Sequence, residues 1–542
     1  MITRCRKSGV LRHFLAVVLI LLLDGRRAEG ADHELNPQQL AVQEHLSSTA
    51  ALHKSRALHK SLSKDGLHTP MQSTLSKYFS NMELGEYMAN YVQRCGNISR
   101  LFSLGTTPNG NELWALELSA APGKIEAKPN FKYLANMHGD EPVGRQLLLT
   151  MAEWLCEHRS TDAKAARIIQ DMHLFLVPTV NPDGFSSKTR GNSKGVDLNR
   201  DFPDPLHRGS LGLAPNGSEQ AETVDLIKWM QKRPFVASAS FHEGAVVANY
   251  PFDGTLNGST MTNVSGDDPT FQHLASVYAG AHTSMSESKQ FPGGITNGAA
   301  WYPIWGGMQD WNYLALGCME LTLEISEAKA PPPELLALLW QNNLPAMLAL
   351  PLAAAFEGLR GFVHAAAPGS SRKLEPGEPE AVGTPLAASI EVEGAARTVK
   401  AGPFGDFYRP LPPGEYNVTA SMSGYASASA LWVVPPSPDS SSLLNFTLQA
   451  IPKPFKGRKA AHAEAARAAA EDYMAGQLKD GSVFDTAAMS LRTRHAGQLQ
   501  PHTWSSVVHR MSVLFLGIGI FVGCRYLYQR TPPQGPVERR RN

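Results

Sequence analysis

Apolar runs alternate with helical patterns between about residues 76 and 356, as they do in α/β domains. Four short runs predict strands, at 131–137, 172–180, 235–241 and 317–325. In the last run, apolar residues alternate with Glu320, Thr322 and Glu324, which predicts one strand with two different faces. Between the first two runs, Pro142 can begin a helix, because apolar residues recur at helical spacing over 143–155.

The pattern changes after residue 356. Residues 357–450 contain short β-like runs, many Gly and Pro and no helical period, which predicts a small β-sandwich. Residues 31–75 are polar and repeat the tetrapeptide LHKS, which is typical of a linker or pro-segment. Residues 451–506 are rich in Ala and charged residues and are interpreted as a stalk.

Both ends of the chain carry targeting signals. Residues 1–30 have a basic start, an apolar run over 14–23 and a small-x-small site at 28–30, which predicts a cleaved signal peptide. Residues 507–528 form an apolar segment that predicts a transmembrane helix, and the Arg-rich tail 529–542 favours the cytoplasmic side. A buried or interfacial helix and a lipid-anchor signal are the alternatives for this segment. The preferred interpretation is a type I protein of the secretory pathway (Golgi, endosome or plasma membrane) with its main folded part in the lumen or outside the cell.

The composition bears on nucleic-acid binding, on disulfide formation and on glycosylation. The 542 residues are 43% hydrophobic with a formal net charge of +1, which offers no electrostatic argument for nucleic-acid binding. Of five Cys, Cys5 leaves with the signal and Cys524 lies in the anchor. The remaining three, Cys95, Cys156 and Cys318, permit one disulfide at most. Six Asn-x-Ser/Thr sequons are compatible with a glycosylating compartment.

Candidate metal ligands lie at the ends of two predicted strands. His138 and Glu141 stand three residues apart just past one apolar run, a spacing that is weak by itself. His242 ends another run. Open α/β sheets bind ligands outside the carboxyl ends of their strands. Two His, one Glu and an open fourth position make up a catalytic zinc site.

Several long stretches then make the chain recognisable. They are MHGDEPVGRQLLL (137–149), VPTVNPDGF (177–185), VDLNRDFPD (196–204), FHEGAVVANYPFD (241–253), GITNGAAWYPIWGGMQDWNY (294–313) and MELTLEI (319–325). In these stretches the chain resembles the metallocarboxypeptidases of the regulatory (carboxypeptidase N/E) subfamily, in the form of a carboxypeptidase D with a single catalytic domain. The stretch LPPGEYNVTASMSGY (411–425) is similar to the transthyretin-like domain that follows the catalytic domain there.

The resemblance implies an α/β mixed-sheet metallocarboxypeptidase domain at 76–356, a transthyretin-like β-sandwich at 357–450 and one Zn²⁺ per catalytic domain. It implies that His138, Glu141 and His242 bind the zinc, that Glu324 is the catalytic glutamate and that Arg190 polarises the scissile carbonyl. The implied substrate contacts are Asn199 and Arg200 on the terminal carboxylate, Tyr302 closing over it, and Asp253 and Gln309 on a basic side chain. The implied substrates are peptides and proteins that end in Arg or Lys.

Three departures from the subfamily pattern and two alternative functions stay open. Glu243 stands where Gly is usual and could raise the pKa of nearby groups or alter the first subsite. Asp201 replaces a usual Asn, and a usual cysteine after the strand 319–325 is missing, which leaves the pairing of Cys318 open. The alternative functions are a catalytically silent peptide-binding or adhesion relative and a zinc deacylase of acyl-amino acids. The sequence does not predict an oligomeric state.

Overall fold

The structure is a computed structural model that describes residues 52–54, 69–205, 213–366, 383–436 and 443–452. The predicted signal peptide, transmembrane helix and cytoplasmic tail lie outside the described residues, as do most of the predicted linker and stalk. The strands are β1 Ser99–Thr106, β2 Glu112–Leu118, β3 Asn130–Ala135, β4 His173–Val177, β5 Phe235–His242, β6 Ala245–Tyr250, β7 Ile295–Asn297, β8 Met319–Ser326, β9 Leu359–Ala365, β10 Ser389–Val392, β11 Val399–Lys400, β12 Asp406–Arg409, β13 Gly414–Ser421, β14 Ala428–Val434 and β15 Phe446–Leu448. The α-helices are Thr69–Thr74, Asn81–Cys95, Val143–His158, Ala163–Asp171, Pro182–Ser187, Ala221–Met230, Asp268–Ala281, Gly298–Trp301, Met308–Trp311 and Leu336–Phe356.

The first eight strands form one mixed sheet in the order β1-β2-β4-β3-β5-β8-β6-β7. Its centre, β4-β3-β5-β8, is parallel. The pairs β1–β2, β2–β4 and β6–β8 are antiparallel, and β6 and β7 are parallel. The four predicted strands are confirmed, with bounds that differ by a few residues. The predicted α/β mixed-sheet fold of this part is therefore confirmed.

Helices cover both faces of this sheet. On β3, Phe131, Tyr133 and Ala135 face one apolar core, and Leu134 faces the other. Every residue of β8 is buried, because this strand lies between β5 and β6 inside the covered sheet. The alternation of apolar and polar residues along β8 therefore marks two faces that are both buried. Glu320 and Glu324 are buried like the other residues of the strand.

A second, all-β part begins at Leu359, three residues after helix Leu336–Phe356 ends. Strands β11-β10-β13-β14 form one sheet and β12-β9-β15 another. The two sheets share an apolar core that includes Val363, Ile390, Phe407 and Val418. These strands coincide with the β-like runs that the sequence pattern predicted for 357–450.

Two features bear on the membrane and redox expectations. Within the described part of the chain, the stretch Pro333–Phe356 is long and apolar enough to cross a membrane. Just over half of it, 56%, is buried, and many of its residues belong to one of the two apolar cores of the sheet. Cys95 and Cys156 form a disulfide that joins helix Asn81–Cys95 to helix Val143–His158, and Cys318 is a buried free thiol. The expectation of at most one disulfide among these three Cys is confirmed.

Candidate active site

The three predicted zinc ligands come together at the carboxyl edge of the sheet. His138 follows β3, Glu141 lies in the same loop, and His242 ends β5. Glu141 Oε2 lies 2.9 Å from His138 Nδ1 and 3.1 Å from His242 Nδ1, and the two imidazole nitrogens are 3.1 Å apart. All three side chains are buried, and their ligand atoms lie within 4.8 Å of one another. Two imidazoles and one carboxylate in this arrangement fit a zinc ion.

The loop that carries His138 and Glu141 is held by Asn136. This residue has a positive φ of 57°, in the left-handed region that Asn tolerates better than most residues. Its side-chain Nδ2 donates to the carbonyl oxygens of His138, Gly139 and Glu141 at 2.8, 3.3 and 3.2 Å. A Cβ on Gly139 would lie 2.0 Å from the backbone of Gly184, so only glycine fits there. The ligand geometry is thus fixed by the loop before any metal binds.

The two oxygens of Glu141 face different partners. Oε2 faces the imidazoles, whereas Oε1 lies 2.7 Å from Lys329 Nζ and 3.4 Å from an Arg190 nitrogen. Burial alone would raise the pKa of Glu141, but the hydrogen bonds and charges of the two histidines outweigh it and lower that pKa. The carboxylate is therefore ionised, and its Oε2 faces the two imidazoles of the candidate metal site.

Asp197 orients two of the site residues, and sequence reasoning assigned it no role. Its Oδ1 lies 3.1 Å from His138 Nε2, and its Oδ2 accepts from Arg190 Nε at 2.9 Å. A carboxylate on the second ring nitrogen of a ligating histidine fixes the tautomer and orientation of that ring. Asp197 lies within the quoted stretch VDLNRDFPD, which is the signal that would have identified it.

Glu324 lies on β8 directly across from His242 in the β5–β8 register. It is 7% exposed, and no hydrogen bond from the described residues reaches its Oε2. Burial, together with the nearby charge of Glu141, raises the pKa of Glu324 to about 7, although His242 and Lys329 oppose the shift. A carboxyl group with a pKa near neutral can both accept and release a proton at physiological pH. Glu320, on the same strand, instead accepts hydrogen bonds from Ser238 and Asn312 inside the sheet.

The polar pocket beside the ligands has a volume of about 220 Å³. Nine of the ten predicted site residues line it: His138, Glu141, Arg190, Asn199, Arg200, His242, Asp253, Tyr302 and Glu324. Tyr302 is 46% exposed, and its ring packs on Trp301 with centroids 4.8 Å apart. Asn199 is anchored through its Oδ1, which accepts from the backbone N–H of Met308 at 3.0 Å.

Asp253 is a buried carboxylate in the wall of this pocket. Its Oδ1 accepts from Asn249 Nδ2 at 3.0 Å and from Gln309 Nε2 at 3.1 Å. A Cβ on Gly298 would lie 1.8 Å from the same oxygen, so a larger residue there would displace the carboxylate. Burial raises the pKa of Asp253 to about 6, against the opposing effects of the Asn249 hydrogen bond and the Arg200 charge. Gln309 is bonded to Asp253 and is not among the residues that line the pocket, so its direct contact with substrate stays a prediction.

Two acidic departures from the subfamily pattern have defined partners. Glu243 accepts from the backbone N–H groups of Val143 and Ala330. Asp201 accepts from the backbone N–H of Gln220 at 2.7 Å. Both carboxylates therefore satisfy backbone donors of neighbouring segments.

Comparison with known proteins agrees with this geometry. The zinc carboxypeptidase family profile matches residues 84–346. Carboxypeptidase SOL1 of Arabidopsis thaliana is 44% identical over 368 residues, which cover 67% of this chain and 72% of that protein. This chain belongs to the zinc carboxypeptidase family. The catalytic chain of rat carboxypeptidase N is 38% identical over 395 residues, covering 66% of this chain and 82% of that one. Human carboxypeptidase D is 36% identical over 367 residues, and the aligned part spans only 25% of that longer protein.

The match to the zinc carboxypeptidase family and its relatives confirms the resemblance to the regulatory subfamily. It also identifies zinc as the metal for the three candidate ligands. The chain is a zinc metallocarboxypeptidase, in which His138, Glu141 and His242 are the residues that fit the ion. Lys329 and Asp197, which contact the ligands, were not predicted as site residues. Lys329 lies in the loop after β8, and only the folded course of that loop brings it to Glu141.

Proposed function

We propose that this carboxypeptidase removes single C-terminal Arg or Lys residues from peptides and proteins. The observation that carries the proposal is Asp253, a buried carboxylate that lines the same pocket as Arg200 and the metal ligands. A substrate without a cation would leave this desolvated carboxylate unpaired, at a cost of roughly 2–5 kcal/mol. Selectivity for basic ends follows from that cost.

The substrate's free carboxylate is proposed to bind Arg200 and Asn199. A planar guanidinium holds a carboxylate by two parallel hydrogen bonds, which suits recognition of a chain terminus. Tyr302 is exposed at the mouth of the pocket and can pack over the bound residue. Together these contacts restrict cleavage to the last peptide bond.

The chemical step is assigned to Glu324 and Arg190. When bound, zinc acts as a Lewis acid that makes water a nucleophile near neutral pH. Glu324 takes a proton from the attacking water and passes it to the departing amine, roles that its near-neutral pKa suits. Arg190, held by Asp197, supplies positive charge for the oxyanion that develops on the scissile carbonyl.

The test is a comparison of matched peptides that differ only in the last residue. We expect much higher kcat/KM for Arg or Lys ends than for Phe or Leu ends, and loss of that preference in Asp253→Ala. Equal rates on Arg and Phe ends would contradict the specificity. Faster cleavage of acyl-amino acids than of peptides would favour the deacylase alternative, and zinc binding without hydrolysis would favour the silent relative.

We also propose that the protein matures in the secretory pathway and that its second part is a transthyretin-like β-sandwich. The disulfide Cys95–Cys156 supports an oxidising compartment. Five of the six sequon asparagines are exposed: Asn97, Asn216, Asn257, Asn417 and Asn445. Loss of mass on glycosidase treatment of the full chain expressed in cells would test maturation in the secretory pathway. Recovery in the membrane fraction that depends on residues 507–528 would test anchoring.

A further inference from the structure

A buried ion pair ties the second part to the catalytic part. Asp267, just before helix Asp268–Ala281, accepts from the guanidinium of Arg409 on β12. The side chains are 0% and 1% exposed, respectively. Asp267 also accepts from the backbone N–H of Ala396 at 2.9 Å and from the Tyr313 hydroxyl at 3.0 Å. One carboxylate therefore joins two segments of the β part to Tyr313.

Tyr313 lies in the π-helical turn Asn312–Leu316, and residues from several segments contact it. The guanidinium of Arg397, from the β part, lies 5.0 Å from the centre of its ring and donates to the carbonyl of Leu314. The rings of Phe252 and Phe271 pack on Tyr313 with centroids 5.7 and 5.1 Å away. The β part thus holds the turn both through Arg397 and through Asp267.

This turn is directly joined to the residues that hold Asp253. It continues from helix Met308–Trp311, in which Gln309 donates to Asp253 Oδ1 and Asp310 accepts from the Asp253 backbone N–H at 3.0 Å. Phe252, which packs on Tyr313, is the residue before Asp253. Two short paths of direct contact therefore connect Tyr313 to the specificity carboxylate.

We infer that Arg397 is a positioning residue for basic specificity: through Tyr313 and Leu314 it fixes the turn that places Asp253. The inference rests on the proposed function, because it concerns the same carboxylate. An ion pair in a desolvated pocket needs its partners held closely, and a supporting contact that loosens by a fraction of an ångström weakens it. The catalytic Glu324 and the zinc ligands lie on other strands and loops, so loss of Arg397 should act on recognition of the basic side chain and leave the chemical step intact.

The experiment compares Arg397→Ala with Lys400→Ala, a change of another cation on the same β part, whose side chain is exposed. Arg397→Ala should raise KM for an Arg-ending peptide roughly 3- to 30-fold, the range for residues that modulate a site through neighbours. Its kcat should stay at the unsubstituted value, and KM for a Leu-ending peptide should rise much less than KM for the Arg-ending peptide. Lys400→Ala should leave KM and kcat unchanged for both peptides. Arg397→Lys keeps the charge but loses the planar stack, and an intermediate KM is expected.

Thermal unfolding and zinc content of each variant separate positioning from stability. Tyr313→Phe keeps the ring contacts and removes only the hydroxyl bond to Asp267, so it serves as a second, milder variant. Unchanged Arg-over-Leu selectivity in Arg397→Ala, or an equal loss on both peptides, would overturn the inference. If Asp253→Ala abolishes the preference while Arg397→Ala leaves it intact, the proposed function stands and only the inference fails. Absence of preference in the unsubstituted chain would overturn both.

Discussion

Glu243 accepts a hydrogen bond from the backbone N–H of Ala330 at 2.9 Å, and this contact links two loops at the edge of the active site. Ala330 has a positive φ of 46°, an unfavourable conformation for a residue with a Cβ. The other Glu243 oxygen accepts from Val143, the first residue of helix Val143–His158. The residue that departs from the subfamily pattern thus fastens the loop that carries Lys329.

Glu243→Gln should destabilise the fold by about 1–3 kcal/mol, because an amide NH₂ cannot accept and one buried N–H loses its partner. Chemical denaturation at neutral pH measures the change. Glu327→Gln, an exposed change in the same loop, is the control and should stay within about 0.5 kcal/mol. Equal unfolding midpoints for the two variants would show that the hydrogen bonds of Glu243 contribute nothing to stability.

How much of this site is predictable from sequence depends on how each residue is held. His138 and His242 end apolar strand runs, so their convergence follows from sheet topology. Arg190, Arg200 and Asp253 lie in long connecting loops, and only the motif resemblance indicated them. The contact of Lys329 with Glu141 depends on the backbone of the loop at Ala330, which hydrophobic periodicity does not encode.

In the fold, too, some elements were predictable from the hydrophobic pattern and others were not. Continuous apolar runs identified β3, β4, β5 and β8, because buried parallel strands need apolar residues on both faces. The edge strand β1 is partly exposed, and its neighbour β2 mixes charged and apolar residues, so the pattern did not predict them. Of the turn Asn312–Leu316, only Asn312 and Tyr313 fell within a recognised motif, and the contact of Arg397 with Leu314 comes from 83 positions later in the chain.

Glu324→Gln should lower kcat by a factor of about 10²–10⁴, the usual contribution of a general base, with zinc content unchanged. The matched variant is Glu320→Gln on the same strand. Glu320 is fully buried and bonded to Ser238 and Asn312. Its substitution should therefore lower the free energy of unfolding and reduce kcat much less than Glu324→Gln does. Steady-state kinetics and metal analysis on both variants distinguish the roles. A larger kcat loss for Glu320→Gln would show that the catalytic glutamate is misassigned.

Asp197→Asn should weaken zinc retention by roughly 10- to 100-fold, because the amide no longer gives His138 and Arg190 a charged acceptor. The measurement is the rate of zinc release to a coloured chelator. Asp201→Asn, four residues away and bonded to Gln220, should release zinc at the unsubstituted rate. Similar release rates for both variants would contradict the assigned role of Asp197.

Replacing both Cys95 and Cys156 by Ala should lower the free energy of unfolding by about 4 kcal/mol. The disulfide closes a loop of 61 residues, and constraining a loop of that length in the unfolded chain gives this magnitude. Denaturation under non-reducing conditions measures the loss. The unsubstituted protein in reductant should approach the variant's stability, and a variant as stable as the oxidised protein would contradict the prediction.

The preference for basic ends should fall as pH drops through about 6. Burial raises the pKa of Asp253 to about 6, so its carboxylate is charged above that pH and progressively neutral below it. A neutral carboxyl cannot pair with the substrate cation, and each pH unit below the pKa then costs up to about 1.4 kcal/mol of selectivity. The ratio of kcat/KM for Arg-ending and Leu-ending peptides isolates this effect, because titration of Glu324 and of the metal site affects both peptides alike. In Asp253→Asn the ratio should be low and independent of pH between 5 and 8, and a ratio that still falls with acidification would assign the titration to another group.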